Sequence, residues 1–198
     1  ETLLERMDRS GIDGAAVSMI DAIFHRNVQP ANEQLAKITE RHGDRLVGMG
    51  TINPTYEQWE DDIRQCHEDM GMKGIRLFPV YHGYAGDGPE AKKVLAACVE
   101  RDLPVSIPSR IEDPRQRNWM DPGKTVSAAS ISNLMAAVPG ATVYIPNLRG
   151  GMGNLPMWRN QAVRDQKWYV DFSLSEVHGG LDLLVKQSGA QHLIFGTH

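Results

Sequence analysis

Seven short apolar runs recur along the chain, and the stretches between them return apolar residues every three or four positions. The runs Ala15 to Ile20, Leu46 to Ile52, Gly74 to Phe78, Val105 to Pro108, Thr142 to Pro146, Trp168 to Phe172 and Leu193 to Phe195 are short, apolar and bounded by turn residues, which predicts strands. They are continuous rather than alternating, as parallel strands covered on both faces require. The intervening stripes Ala31, Leu35 and Ile38, then Trp59, Ile63, Cys66 and Met70, then Val94, Leu95 and Cys98 predict helices lying on a sheet. Ile131, Leu134, Met135 and Val138 form another stripe, and Leu181, Leu184 and Val185 the last. Gly43, following Arg41-His42, and Gly71 and Gly140 punctuate helix ends.

Strand, helix and parallel strand connect right-handedly, so this order winds into a barrel or an open doubly wound sheet. An open dinucleotide-type sheet would carry a glycine-rich loop after its first strand, where Asp21-Ala22-Ile23-Phe24-His25 stands instead. The prediction is an α/β fold, TIM-barrel-like (β/α)8, which starts on a helix, ends on a strand and lacks the first strand and last helix in this chain. Residues 1–198 read as a single barrel domain truncated at both ends. Its open edges at Ala15 to Ile20 and Leu193 to Phe195 predict a homo-oligomer or poor stability in isolation. Gly150-Gly151-Met152-Gly153 fits either an anion-binding turn or an ordinary tight turn.

Composition narrows the function classes. Hydrophobic residues at 41% and charged residues at 23% describe a globular chain. A net charge of -4 without a basic block excludes nucleic acid and anionic membrane as expected partners. No apolar run approaches the ~20 residues of a membrane span, and the chain opens without signal-peptide architecture, so cytoplasm is the expected location. Cys66 and Cys98 sit on apolar stripes and read as small buried hydrophobes.

Barrels of this kind keep their chemistry at the carboxyl ends of the strands. There the sequence places Asp21 and His25, Asn53, His82, Arg110 with Glu112 and Asp113, Asn147 and Arg149, Asp171, Ser173, Glu176 and His178, and His198. Imidazoles transfer protons near neutrality and bind divalent metals, so four histidines on one face mark a candidate site. Taken singly, His25 and His178 read as solvated loop residues, and Arg110, Glu112, Asp113 and Arg115 as a local ion-pair network. Tyr81, His82 and Tyr84 suit either a wall for a small polar substrate or a packed aromatic loop.

Met7-Asp8-Arg9-Ser10-Gly11-Ile12-Asp13-Gly14-Ala15-Ala16-Val17, Gly71-Met72-Lys73-Gly74-Ile75-Arg76-Leu77-Phe78-Pro79, Leu103-Pro104-Val105-Ser106-Ile107 and Leu193-Ile194-Phe195-Gly196-Thr197 resemble the amidohydrolase superfamily. The branch is similar to metal-dependent hydrolases and decarboxylases related to aminocarboxymuconate semialdehyde decarboxylase. The resemblance implies a divalent metal such as zinc, held by a His-x-His pair on the first strand, histidines ending the fifth and sixth strands and an aspartate ending the eighth. The matching positions here carry Pro108, Asn147 and His198, and Phe78 replaces a histidine often found ending the fourth. Proline and phenylalanine cannot ligate, so the usual ligand set is absent and the cofactor stays open.

Three readings follow. In the first, the chain is an amidohydrolase-like enzyme that hydrolyses or decarboxylates a small carboxylate-bearing substrate, with its metal lost or relocated. His198 or His82 then acts as acid or base, Asn147 donates a hydrogen bond, Arg76 or Arg110 clamps the carboxylate, and Asp171 and Tyr81 line the substrate. In the second, a new metal site is recruited from His25, His82, His178, His198, Asp21 or Asp171. In the third, a non-catalytic barrel binds a small organic acid or serves as an assembly subunit.

Overall fold

The computed structural model describes residues 2–113, 115–116, 118–121, 124–148, 155–173 and 178–196, of which 183, 184, 187 and 188 are described by backbone alone. Thr2 opens the first helix, α1 (Leu3–Arg9), through a capping box: Glu5 N donates to Thr2 Oγ1 (3.3 Å) and Thr2 N to Glu5 Oε2 (2.8 Å). The chain divides into two compact units, Glu1–Arg76 and Leu77–His198.

In the first unit β1 (Ala15–Val17), β2 (Leu46–Thr51) and β3 (Gly74–Arg76) pair in parallel and in chain order, Ala15 opposite Leu46 and Met49 opposite Gly74. A 3₁₀ turn (Ile20–Phe24) and α2 (Gln29–Arg41) connect β1 to β2. The next helix, α3 (Trp59–Arg64), runs into one π turn (Gln65–Asp69). That turn packs Cys66 against β2 at Gly50, where a Cβ would lie 2.8 Å from the Cys66 sulfur and 2.7 Å from the Met72 sulfur. Only glycine permits this approach. Beneath α2 a buried amide network joins the apolar packing of Ala31 and Leu35. Asn32 Nδ2 donates to Thr51 O (2.9 Å) and Gln29 Oε1 (2.7 Å), and Thr51 N donates to Asn32 Oδ1 (2.8 Å).

The second unit begins with α4 (Pro79–His82) and α5 (Pro89–Val99), each opened by a proline whose missing N–H costs nothing at the first helical position. Then come β4 (Val105–Ser106), α6 (Ala128–Ala137), β5 (Thr142–Ile145), α7 (Pro156–Arg159), β6 (Lys167–Asp171), α8 (Gly180–Ser188) and β7 (Leu193–Ile194). The four strands pair in parallel and in chain order, with Ser106 opposite Tyr144, Ile145 opposite Val170 and Asp171 opposite Ile194. Val105, Ile107, Val143, Ile145 and Trp168 are fully buried, each worth about 1.5–3 kcal/mol of transfer free energy. Trp168 stacks on His192 at 3.9 Å and meets Trp158 edge-on at 4.5 Å.

All seven expected strands form, most of them shorter than their apolar runs. Both cysteines are buried free thiols, and burial pushes each up to about 12. Leu181 and Val185 depart from the expected stripe, for both are exposed on α8.

Candidate active site at the carboxyl ends of the strands

In the second unit the strand ends converge on one carboxylate. Asp171, at the end of β6 and 1% exposed, accepts from Tyr144 OH (3.1 Å), Asn147 N (3.2 and 3.3 Å) and Ser173 Oγ (2.9 Å). Three donors satisfy a charge that would otherwise be costly to bury. Asn147, just beyond β5, holds the left-handed conformation (φ 60°) that asparagine tolerates better than most residues. Its Nδ2 donates to Arg110 O (3.1 Å), which fixes the backbone that carries the buried Arg110 side chain. Gly196, after β7, lies against the same carboxylate: a Cβ there would sit 2.5 Å from Asp171 Oδ2.

Beyond β4 the chain makes a long excursion that closes on itself. Val126 N donates to Ser109 O (2.8 Å), Ser109 Oγ donates to Val126 O (2.9 Å), and Ser109 N donates to Pro146 O (3.0 Å). Tyr81 OH, from α4, donates to Asp121 Oδ1 (3.0 Å) in this excursion. Burial, then Asp121, pushes the Tyr81 phenol upward, so it remains a protonated donor. Asp113 is gripped by the Arg115 guanidinium (2.6 Å at the shortest), which holds its carboxyl well below the usual carboxylate range. His82 is buried on α4 and meets Phe78 edge-on at 6.2 Å. A narrow cavity lies among Phe78, Tyr81, Pro108, Arg110, Lys124 and Val126.

Among the expected site residues, Arg110, Asn147 and Asp171 are brought into one hydrogen-bonded group, while Tyr81 and His82 stand on α4. Arg76 ends β3 in the first unit and donates to Ser18 Oγ (2.8 Å). In that unit Asn53 closes its own turn, accepting from Thr55 N and Oγ1 and donating to Arg26 O. His25 and His178 are exposed. His198, Arg149, Glu176 and Gly150 to Gly153 lie outside the described residues. Tyr144, Lys124 and the contact of Gly196 escaped the sequence reading. Tyr144 sits within a strand rather than beyond it, and Lys124 lies far down the excursion from the strand end.

A divalent ion needs about three protein ligands. Among the described residues no three His, Cys, Asp or Glu side chains group closely enough to hold one. Pro108 and Phe78 carry no donor, and the Asp171 oxygens are already engaged by Tyr144, Asn147 and Ser173. The described residues do not fit such an ion, and the chemistry they offer is that of their own side chains.

The fold has solved relatives. One is a 2,6-dihydroxybenzoate decarboxylase from Rhizobium, at 16% identity and TM-score 0.72, covering 100% of this chain and 76% of that one. Another is a 5-carboxyvanillate decarboxylase from Novosphingobium aromaticivorans complexed with manganese and 4-hydroxy-3-methoxy-5-nitrobenzoic acid, at 18% identity and TM-score 0.69, covering 100% and 69%. An uncharacterized TIM-barrel protein from Bordetella bronchiseptica aligns at 17% identity and TM-score 0.68, covering 98% and 68%. The fold is thus α/β and TIM-barrel-like. Within that class the sequence profile of the amidohydrolases matches residues 4–197, and the chain belongs to the amidohydrolase family. No curated protein matches it. Among the described residues no helix is long and apolar enough to cross a membrane.

Proposed function

We propose that this chain is an amidohydrolase-family enzyme that hydrolyses or decarboxylates a small carboxylate-bearing substrate, without the family's usual metal ligands. Family membership over residues 4–197 is the observation that carries the reading. The decarboxylase neighbours, one of them complexed with 4-hydroxy-3-methoxy-5-nitrobenzoic acid, support the substrate class. Arg110 is the candidate carboxylate clamp in the second unit and Arg76 in the first. His82 and His198 are the candidates for proton transfer, Asn147 for hydrogen-bond donation, and Tyr81 and Asp171 for shaping the site. Asp171 acts by position, since its oxygens already serve Tyr144, Asn147 and Ser173.

The second reading, a non-catalytic barrel that binds an organic acid, is favoured by Phe78 and Pro108 standing where histidines would be expected. A panel of small aromatic and aliphatic acids and their amides, assayed for CO2 and ammonia release, separates the two. Turnover that falls about tenfold or more in Asn147→Ala supports the enzyme. Saturable binding without turnover on any member supports the binding barrel.

A further inference from the structure

The carboxylate at the end of β6 has donors but no countercharge. Asp171 is 1% exposed, and its partners Tyr144 OH, Asn147 N and Ser173 Oγ are all neutral. Among the described residues no lysine, arginine or histidine pairs with it. Arg110, whose backbone oxygen takes the Asn147 amide, lends its charge instead to Asp113, where it helps Arg115 hold that carboxyl below the usual range. A buried carboxylate set among neutral donors keeps its field, because its surroundings screen it poorly.

Asn147 brings that field to the surface of the site. Nδ2 must be the atom that faces Arg110 O, since a carbonyl only accepts, so the amide is fixed against flipping. The N–H given to Asp171 and the left-handed backbone (φ 60°) hold the residue from the other side. Beside the second N–H of Nδ2, the group left open is Oδ1. It accepts from no donor among the described residues, yet it is not sealed in without a partner as Thr51 Oγ1 is. Asn147, 8% exposed, thus presents an acceptor backed by a negative charge. We infer that Asn147 and Asp171 form an ammonium subsite, in which Oδ1 accepts from a protonated amine and Asp171 supplies the attraction from behind. The inference rests on the proposed carboxylate-directed function for the other end of the ligand, and it narrows the substrate to an amino-substituted acid. A neutral hydroxyl would satisfy Oδ1 alone, whereas a cation also answers the charge.

Calorimetric titration of the full chain with matched pairs of acids tests this without requiring turnover. The pairs are 4-(aminomethyl)benzoate against 4-methylbenzoate, and 4-aminobutanoate against butanoate. In at least one pair the amino acid is expected to bind about tenfold or more tightly than its partner. Asn147→Gly, which keeps the left-handed backbone and removes the acceptor, is expected to erase that preference. Should Asn147→Gly fail to fold, Asp171→Asn, which removes the charge and keeps the shape, carries the test, with its melting curve as control. Equal or weaker binding of the amino acid in both pairs overturns the subsite, and so does a preference untouched in the folded variant. A preference that added manganese abolishes identifies a metal ion as the occupant and overturns it too. Turnover of the amine-free acids as fast as of their amino partners would sink the subsite and leave the enzyme standing; an Asn147-dependent preference for the amine without any turnover would do the reverse.

Discussion

Asp62 is the residue most at odds with its surroundings. It is 3% exposed on α3, and its Oδ2 has no hydrogen-bond partner among the described residues. Burial, helped by the neighbouring Asp61 charge, raises its carboxyl to about 6. A carboxyl whose folded value lies above its unfolded value of about 4 stabilises the fold fully below that lower value and loses the contribution as pH climbs toward the upper one. The melting temperature is therefore expected to fall between about pH 4 and pH 6, and Asp62→Asn to flatten that fall. Parallel curves for the two proteins would show that Asp62 ionises without cost. Sequence could not have shown this residue. The stripe Trp59, Ile63, Cys66 and Met70 marks the buried face, but Asp62 reads as its polar neighbour, and the π turn that rotates the following residues depends on contact with Gly50.

At the scale of elements, the strand ends of the second unit gather around the shared acceptor at Asp171. Gly196→Ala is expected to push a methyl into that carboxylate and to cost about 1–3 kcal/mol, read as a drop in the denaturation midpoint with an unchanged slope. An unchanged midpoint would mean that the loop carrying Gly196 gives way freely. The strand positions were legible because short β-branched runs bounded by turn residues leave a continuous apolar record. Their ends were not, and each has a local cause. Phe78 leaves the ladder because Pro79 opens α4, and Pro108 has no N–H to offer beyond β4. Asn147 and Asp171 were legible as strand-end residues, but Tyr144 was hidden inside β5, where only cross-strand register shows it reaching Asp171.

For the whole molecule, element order and a few short motifs were enough to reach the fold and the family. Site chemistry was harder to read, since the partners of Asn147 and Asp171 show only in three dimensions. On the proposed reading, turnover of a carboxylate is expected to survive exhaustive chelation, and added manganese to leave it unchanged. Activity that vanishes with chelator and returns with manganese would overturn that expectation. The pinch between Ser109 and Val126 carries a consequence of its own. Both cations of the cavity ride on one excursion whose two ends meet at the base, and lengthening such a loop costs only ~0.6 kcal/mol per doubling. Natural variation and engineering alike can exchange this segment as a cassette while the strands beneath it stay as they are.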